Sequence, residues 1–180
     1  MKHRYLIALG SNRRHVRYGR PERVLAAALE ALDGKGLKLD AAARVERSAP
    51  IGPSLRRYAN GAALVRSKLD PAGLLARLKR IEHHFGRRSG GQRWSARVLD
   101  LDIVLWSGGA WASRGLTVPH TAFRARDFVL APACRIAADW RDPITGLTLR
   151  QLKARLTRPR PAPKRTTGRA LSSVGRATDF

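Results

Sequence analysis

The chain has 180 residues, enough for one domain with a real core and too few for two ordinary ones. A hydrophobic fraction of 43% excludes disorder by composition, and no apolar run reaches the roughly 18 residues of a membrane span. The formal net charge of +23 points to polyanionic partners, and a single cysteine, Cys134, excludes an internal disulfide or a thiolate metal cluster.

The charge excess belongs mostly to the body. The tail from Thr157 to Phe180 holds six Lys/Arg and one acid, a net +5 of the total +23. A general preference for arginine would produce the same excess without any polyanion. At the other end, Met1-Lys2-His3-Arg4 leads into an apolar run too short for a signal-peptide core, with no small-residue cleavage site behind it. The expectation is a cytoplasmic protein with no membrane association.

In chain order, Tyr5-Leu6-Ile7-Ala8-Leu9 reads as a buried strand that breaks at the turn Gly10-Ser11-Asn12. After a basic loop, Pro21-Glu22 opens a helix in which Val24, Leu25, Ala28, Leu29 and Leu32 recur at helical spacing. Asp33-Gly34-Lys35-Gly36 ends it. Leu37 to Arg47 is weakly patterned and reads as strand. Ser48 to Pro53 is irregular, and Tyr58 to Leu69 reads as a partner strand.

Asp70-Pro71 is a helix start, with a capping acid and a proline at the first helical position. Leu74, Leu75, Leu78, Ile81 and Phe85 form its stripe, and Gly86 closes it. A basic loop, Arg87 to Trp94, precedes the clearest strand, Arg97 to Trp106. A segment starting at Leu116, a short helical region over Phe123 to Ile136 and a last helix over Leu149 to Leu156 follow. Prolines deny the remainder any regular period. The expected organisation is a domain over residues 1–156 and a disordered basic tail over 157–180. The order of elements, strand-helix-strand-strand-helix-strand, is that of a ferredoxin-like βαββαβ α+β fold, an antiparallel sheet flanked by helices.

The chemistry concentrates in Arg97 to Trp106. Strand alternation puts Leu99, Leu101, Ile103 and Leu105 on one face, and Val98, Asp100, Asp102 and Val104 on the other. Two carboxylates on an otherwise apolar face repel each other and are costly to bury unpaired. Magnesium, which takes one or two carboxylates together with substrate phosphate oxygens, resolves both problems. Structural salt bridges to the plentiful arginines are the competing reading.

Other positions stay open on residue type alone. Gly10-Ser11-Asn12 reads as a structural turn and Glu82 as part of a solvated helix face. The loop carrying Arg87, Arg88, Arg93, Trp94 and Arg97 is either a phosphate grip or a solvated basic loop. His120 is either a phosphate ligand or a structural group.

Several segments together resemble the 6-hydroxymethyl-7,8-dihydropterin pyrophosphokinase family of folate biosynthesis. They are Ala8-Leu-Gly-Ser-Asn12, Gly52-Pro53 with Tyr58-Ala-Asn60, Arg80-Ile-Glu82 and Gly86-Arg87. Further matches are Arg93-Trp94, Arg97-Val-Leu-Asp-Leu-Asp-Ile103, Leu116-Thr-Val-Pro-His120 and Arg126-Asp-Phe128. The resemblance runs from Tyr5 to about Leu156. It implies transfer of the pyrophosphoryl group of ATP, the co-substrate, to the pterin hydroxymethyl oxygen, with release of AMP.

It further implies two magnesium ions held by Asp100 and Asp102. The implied pterin slot is formed by Ser48, Ile51, Tyr58, Asn60, Trp94 and Phe128. The implied ATP contacts are Glu82, Arg87, Arg97, Ile103, Thr117, His120 and Arg126, with Arg87 and Arg97 acting in catalysis. Lys79, Ser89, Ser95, Ala96 and Gly115 depart from the family pattern. A small-molecule enzyme, monomeric by expectation, is favoured over a basic nucleic-acid-binding module or a nucleotide-binding homologue without turnover. The strand that would face RNA carries two acids instead of stacking aromatics.

Overall fold

The computed structural model describes residues 2–48, 57–86 and 97–159. The elements run β1 (His3–Ser11), α1 (Pro21–Ala31), β2 (Leu37–Ala42), β3 (Glu46–Ser48), β4 (Tyr58–Ser67), α2 (Pro71–His84) and β5 (Asp100–Trp106). A small hairpin, β6 (Trp111–Ser113) and β7 (Leu116–Val118), follows. After it come a 3-10 turn (Phe123–Ala125), α3 (Asp127–Ala137) and α4 (Leu149–Thr157).

The main sheet has the order β2-β4-β1-β5, with β3 also paired to β4. Its ladders are antiparallel, so β4 lies between β1 and β2 and the fold is the ferredoxin-like arrangement expected from the element order. One expected strand, Leu37 to Arg47, is in fact two. Both halves pair with β4; Asp40 is an extra residue within β2, and the break at residues 43–45 falls where the register on β4 slips by one further residue between Ala42 and Glu46. The β6–β7 hairpin had no recognised signal in the sequence beyond its flanking glycines. The irregular loop 49–56, the basic loop 87–96 and the tail from residue 160 onward lie outside the described residues.

Each face of the sheet has its own core. Tyr5, Ile7 and Leu9 of β1, with Ala63 and Val65 of β4, pack against Val24, Leu25 and Ala28 of α1 and Leu74 and Leu78 of α2. Leu6, Ala62, Leu64 and Leu105 pack on the other face against Leu130 and Ala133 of α3 and Leu149 and Leu152 of α4. The helix ends follow the local chemistry. Asp70 Oδ1 accepts the Gly73 N–H at 2.7 Å and Pro71 opens α2. Gly86, at φ 80°, supplies the left-handed turn after it.

The alternation expected along β5 holds only in part. Leu99, Leu101 and Ile103 belong to the first core, but Leu105 lies in the second, beside Val104. The cause is a β-bulge: Ile7 pairs with Ile103 and Leu6 with Leu105, so Val104 is the extra residue and the faces reset after it. Val98, before the strand begins, packs against the first core rather than sharing the aspartates' face. Asp100 and Asp102 precede the bulge and keep the shared face that alternation gives them.

Candidate active site

The face of the sheet under α3 changes character row by row. The ladders place Leu64, Leu6 and Leu105 in one row across three strands. The next row is Ala62, Ala8 and Asp102, and the last is Asn60, Gly10 and Asp100. The side chains shrink along β1 from leucine to alanine to glycine, while amide and carboxylate groups take over on its neighbours. A hydrophobic core thus opens into a cavity of about 680 Å³ with polar groups along one part of its wall.

That cavity is lined by Ser48, Tyr58, Asn60, Arg97, Asp100, Asp102, His120, Arg126 and Phe128, nine of the residues singled out in the sequence. Asn60 is buried and its amide donates to Ser48 Oγ at 2.8 Å. One guanidinium nitrogen of Arg97 donates to both Asp100 oxygens, at 2.9 and 2.8 Å. The salt-bridge reading is therefore realised at Asp100, in a pair about one-third exposed on the arginine side.

Asp102 is held differently. Burial, and then the Asp100 carboxylate, raise its pKa above the ordinary carboxylate value. The positive charges of Lys79 and Arg126, together with the nearby His120 ring, oppose that rise without cancelling it. A buried carboxylate whose charged form is disfavoured, set in a cavity beside a second carboxylate, is a candidate functional group. Among the described residues no cluster of three or more His, Cys, Asp or Glu forms a metal cage. Two carboxylates with open space beside them fit magnesium, which fills its remaining positions with water and phosphate oxygens.

His120 is placed by its backbone N–H, which donates to Val104 O at 3.1 Å. Its ring Nδ1 accepts the Ala122 N–H at 3.2 Å, which fixes the orientation of the ring at the cavity wall. Arg126 stands over the Phe128 ring at 5.7 Å, at the N-terminus of α3. The 3-10 turn before it is fixed by Arg124, whose guanidinium forks onto buried Asp142 with two 2.7 Å bonds.

Three positions assigned to ATP do not line the cavity. Ile103 is in the first core, on the opposite face of β5. Thr117 is exposed on β7. Glu82 is completely buried, contrary to the solvated helix face expected for it. β5 is the sheet edge, so the outward Leu101 N–H has no strand partner. Glu82 Oε1 accepts it at 2.7 Å, while Lys79 Nζ donates to both carboxylate oxygens at 3.0 and 2.9 Å. Ile51, Arg87 and Trp94 lie outside the described residues, as do Ser89, Ser95 and Ala96.

The structure adds Gly10, Ser11 and Asn12 to the wall. The expected turn is instead the end of β1. Asn12 clamps the start of the aspartate segment: its Oδ1 accepts the Arg97 N–H at 2.7 Å, and its own N–H donates to Arg97 O at 3.1 Å. Ser11 Oγ and Asn12 Nδ2 are buried without a hydrogen-bond partner among the described residues, a state that is costly unless a ligand satisfies it. Nothing in the residue types distinguishes this Gly-Ser-Asn from an ordinary turn.

The fold and site define an α+β protein in which paired carboxylates, arginines and a histidine line one cavity. The profile of the 7,8-dihydro-6-hydroxymethylpterin-pyrophosphokinase family matches residues 6–138, and the chain belongs to that family. The 2-amino-4-hydroxy-6-hydroxymethyldihydropteridine pyrophosphokinase of Haemophilus influenzae is 37% identical over 135 residues, covering 74% of this chain and 81% of that protein. The protein of the same name from Synechocystis is 38% identical over 117 residues, covering 65% of this chain and 60% of that protein. Among solved structures, the fold is similar to that of Plasmodium falciparum HPPK-DHPS. The TM-score is 0.67 and the identity 12%, over 86% of this chain and 44% of that one.

Proposed function

We propose that this chain transfers the diphosphoryl group of ATP to the hydroxymethyl oxygen of 6-hydroxymethyl-7,8-dihydropterin, releasing AMP, as a step of folate biosynthesis. The observation that carries the reading is the shared wall of one cavity, with Asn60 and Phe128 at one part and Asp100 and Asp102 at another. The family membership supports the reaction. Among the described residues no helix is long and apolar enough to cross a membrane.

In this reading the pterin lies among Ser48, Tyr58, Asn60 and Phe128. Phe128 offers an aromatic face and Asn60, already oriented by Ser48, reads the pterin's polar edge. Ile51 and Trp94 are assigned to the same slot by the resemblance. Arg97, His120 and Arg126 face the phosphates, with Arg87 joining them from the basic loop. Glu82 acts on ATP indirectly, by fixing β5 at Leu101. Ile103 and Thr117 are assigned to the nucleotide as backbone or rim contacts.

Asp100 and Asp102 would hold magnesium, two ions in this proposal. When bound, magnesium supplies charge neutralisation for the polyphosphate and polarises the phosphorus that is attacked. The hydroxymethyl oxygen bonds to the β-phosphorus, the bond from that phosphorus to the oxygen of the α-phosphate breaks, and AMP leaves with the oxygen. The protein's part is positioning and charge stabilisation, with no covalent enzyme intermediate. A monomer working in the cytoplasm is part of this proposal, both substrates of the reaction being small and soluble.

The test is product analysis with ATP, magnesium and the hydroxymethyl pterin. AMP must appear only with the pterin present, and Asp100→Ala and Asp102→Ala must each abolish it. ADP in place of AMP, or variants that match the wild type, would refute the assignment.

A further inference from the structure

Most glycines in the described residues have a local reason. Gly19, Gly34, Gly36, Gly86, Gly109, Gly115 and Gly146 take positive φ. A Cβ on Gly108 would meet the Trp106 ring at 2.3 Å, and one on Gly73 would meet Asp70 Oδ1 at 3.0 Å. Gly61 also has room for a Cβ, at 3.9–4.0 Å from Val45, Leu25 and Leu9, but it faces the packed core and not the cavity. Gly10 has none of these reasons. Its φ is not positive, it sits within a regular strand, and a Cβ there makes only ordinary contacts.

Those contacts are informative. The Cβ would stand 4.0 Å from Asn60 Oδ1 and 4.0 Å from Asp100 Cβ. Gly10 pairs with Asn60 on one side and with Asp100 on the other, in one row across three strands. Adjacent strands are about 4.8 Å apart, so the backbones of Asn60 and Asp100 are roughly 10 Å apart with bare Gly10 between them. A strand interior disfavours glycine, so the absence of a side chain here needs a cause outside the folded chain.

We propose that Gly10 is the floor over which the acceptor crosses from the pterin slot to the phosphates, and that its missing side chain is a determinant of pterin binding. The inference rests on the pyrophosphokinase reading above. The ring held at Asn60 and the hydroxymethyl group directed toward Asp100 must span this row, and they do so in close contact with the β1 backbone. A methyl group at residue 10 lifts the acceptor off that floor. It leaves Asp100, Asp102 and the nucleotide side unchanged.

The experiment compares Gly10→Ala and Gly10→Val with the wild type by calorimetry. Pterin is titrated in saturating magnesium and a non-hydrolysable ATP analogue, the analogue with magnesium is titrated alone, and Tm is measured for each protein. The expected result is an unchanged or raised Tm, analogue binding within threefold of wild type, and pterin Kd raised at least tenfold in Gly10→Ala and further in Gly10→Val. In turnover, KM for the pterin rises while KM for ATP stays within threefold. Unchanged pterin affinity in both variants overturns the inference, as does an equal loss of analogue binding or a Tm lowered in Gly10→Ala. A wild type that binds the analogue but no pterin overturns the functional reading itself, and this inference with it.

Discussion

Replacing Asp102 by asparagine separates what the residue does for the fold from what it does for the reaction. Asp100 and Asp102 are two residues apart on one strand face, so their carboxylates are about 6.7 Å apart by strand geometry. At an effective dielectric of about 20, two like charges at that distance repel by about 2.5 kcal/mol. The Arg97 nitrogen on Asp100 and the charges of Lys79 and Arg126 offset much of this, so a remainder on the order of 1 kcal/mol is expected in the metal-free protein. The raised pKa of Asp102 has the matching sign. The folded protein holds that proton more tightly than the unfolded chain, so its cost appears as pH rises from the ordinary carboxylate value through the folded value, and is complete above it. Asp102→Asn should therefore raise Tm by about 2–4 °C at neutral pH in a chelator. The same change should lower the rate of AMP formation at least about a hundredfold. Magnesium with an ATP analogue should stabilise the wild type more than the variant. Thermal unfolding with and without magnesium, beside the turnover assay, measures all three. A variant less stable than the wild type in chelator, or one stabilised equally by magnesium and the analogue, would refute the reasoning.

Other outcomes follow from the supports of the site. Glu82→Ala should cost about 2–3 kcal/mol in urea unfolding, because it removes the partner of the buried Leu101 N–H at the sheet edge; an unchanged midpoint would contradict that role. Asp142→Ala breaks the fork from Arg124 and should cost about 3 kcal/mol or more. Burial pushes the Asp142 pKa up, but bonds from Arg124, Thr145 and the Ile144 N–H hold it below the usual carboxylate value. Its contribution is thus complete at neutral pH and is lost as pH falls below the ordinary carboxylate value toward the folded one, where the Asp142→Ala and wild-type unfolding curves should converge. Arg97→Lys keeps the charge and can still meet Asp100 through one nitrogen, as Arg97 does, but it lacks the remaining guanidinium N–H groups that face the phosphates in the proposed reading, and kcat should fall about tenfold or more with Tm within a few degrees of wild type.

The element order was legible because its signals were strong and local. Asp70-Pro71 and Gly86 bracket α2 as their backbone chemistry requires, and the leucine stripes of α1 and α2 face the sheet. The paired aspartates were legible because alternation is a property of the strand itself. It failed at Leu105, where a bulge set by pairing with β1 shifted the face, and pairing register is not written locally in β5. Glu82 was misread for a related reason: only the tertiary structure reveals that its helix covers a sheet edge with an N–H to satisfy. Gly10, Ser11 and Asn12 form an unremarkable turn sequence, and their place in the cavity comes from the neighbouring strands. The nine residues that do share the cavity come from three separate stretches, 48–60, 97–102 and 120–128, which the sheet and α3 bring together.

In the proposed reaction a diphosphoryl group, not a single phosphoryl group, passes to the pterin at Asp100 and Asp102. Mass spectrometry of the pterin product, with ATP carrying isotopic label in the β-phosphate, measures that transfer directly. The expected product is a pterin heavier by two phosphoryl groups, carrying the β label, in one-to-one ratio with AMP, and no such product from Asp102→Asn above about one per cent of the wild-type rate. A pterin monophosphate without the β label, accompanied by ADP, would contradict it.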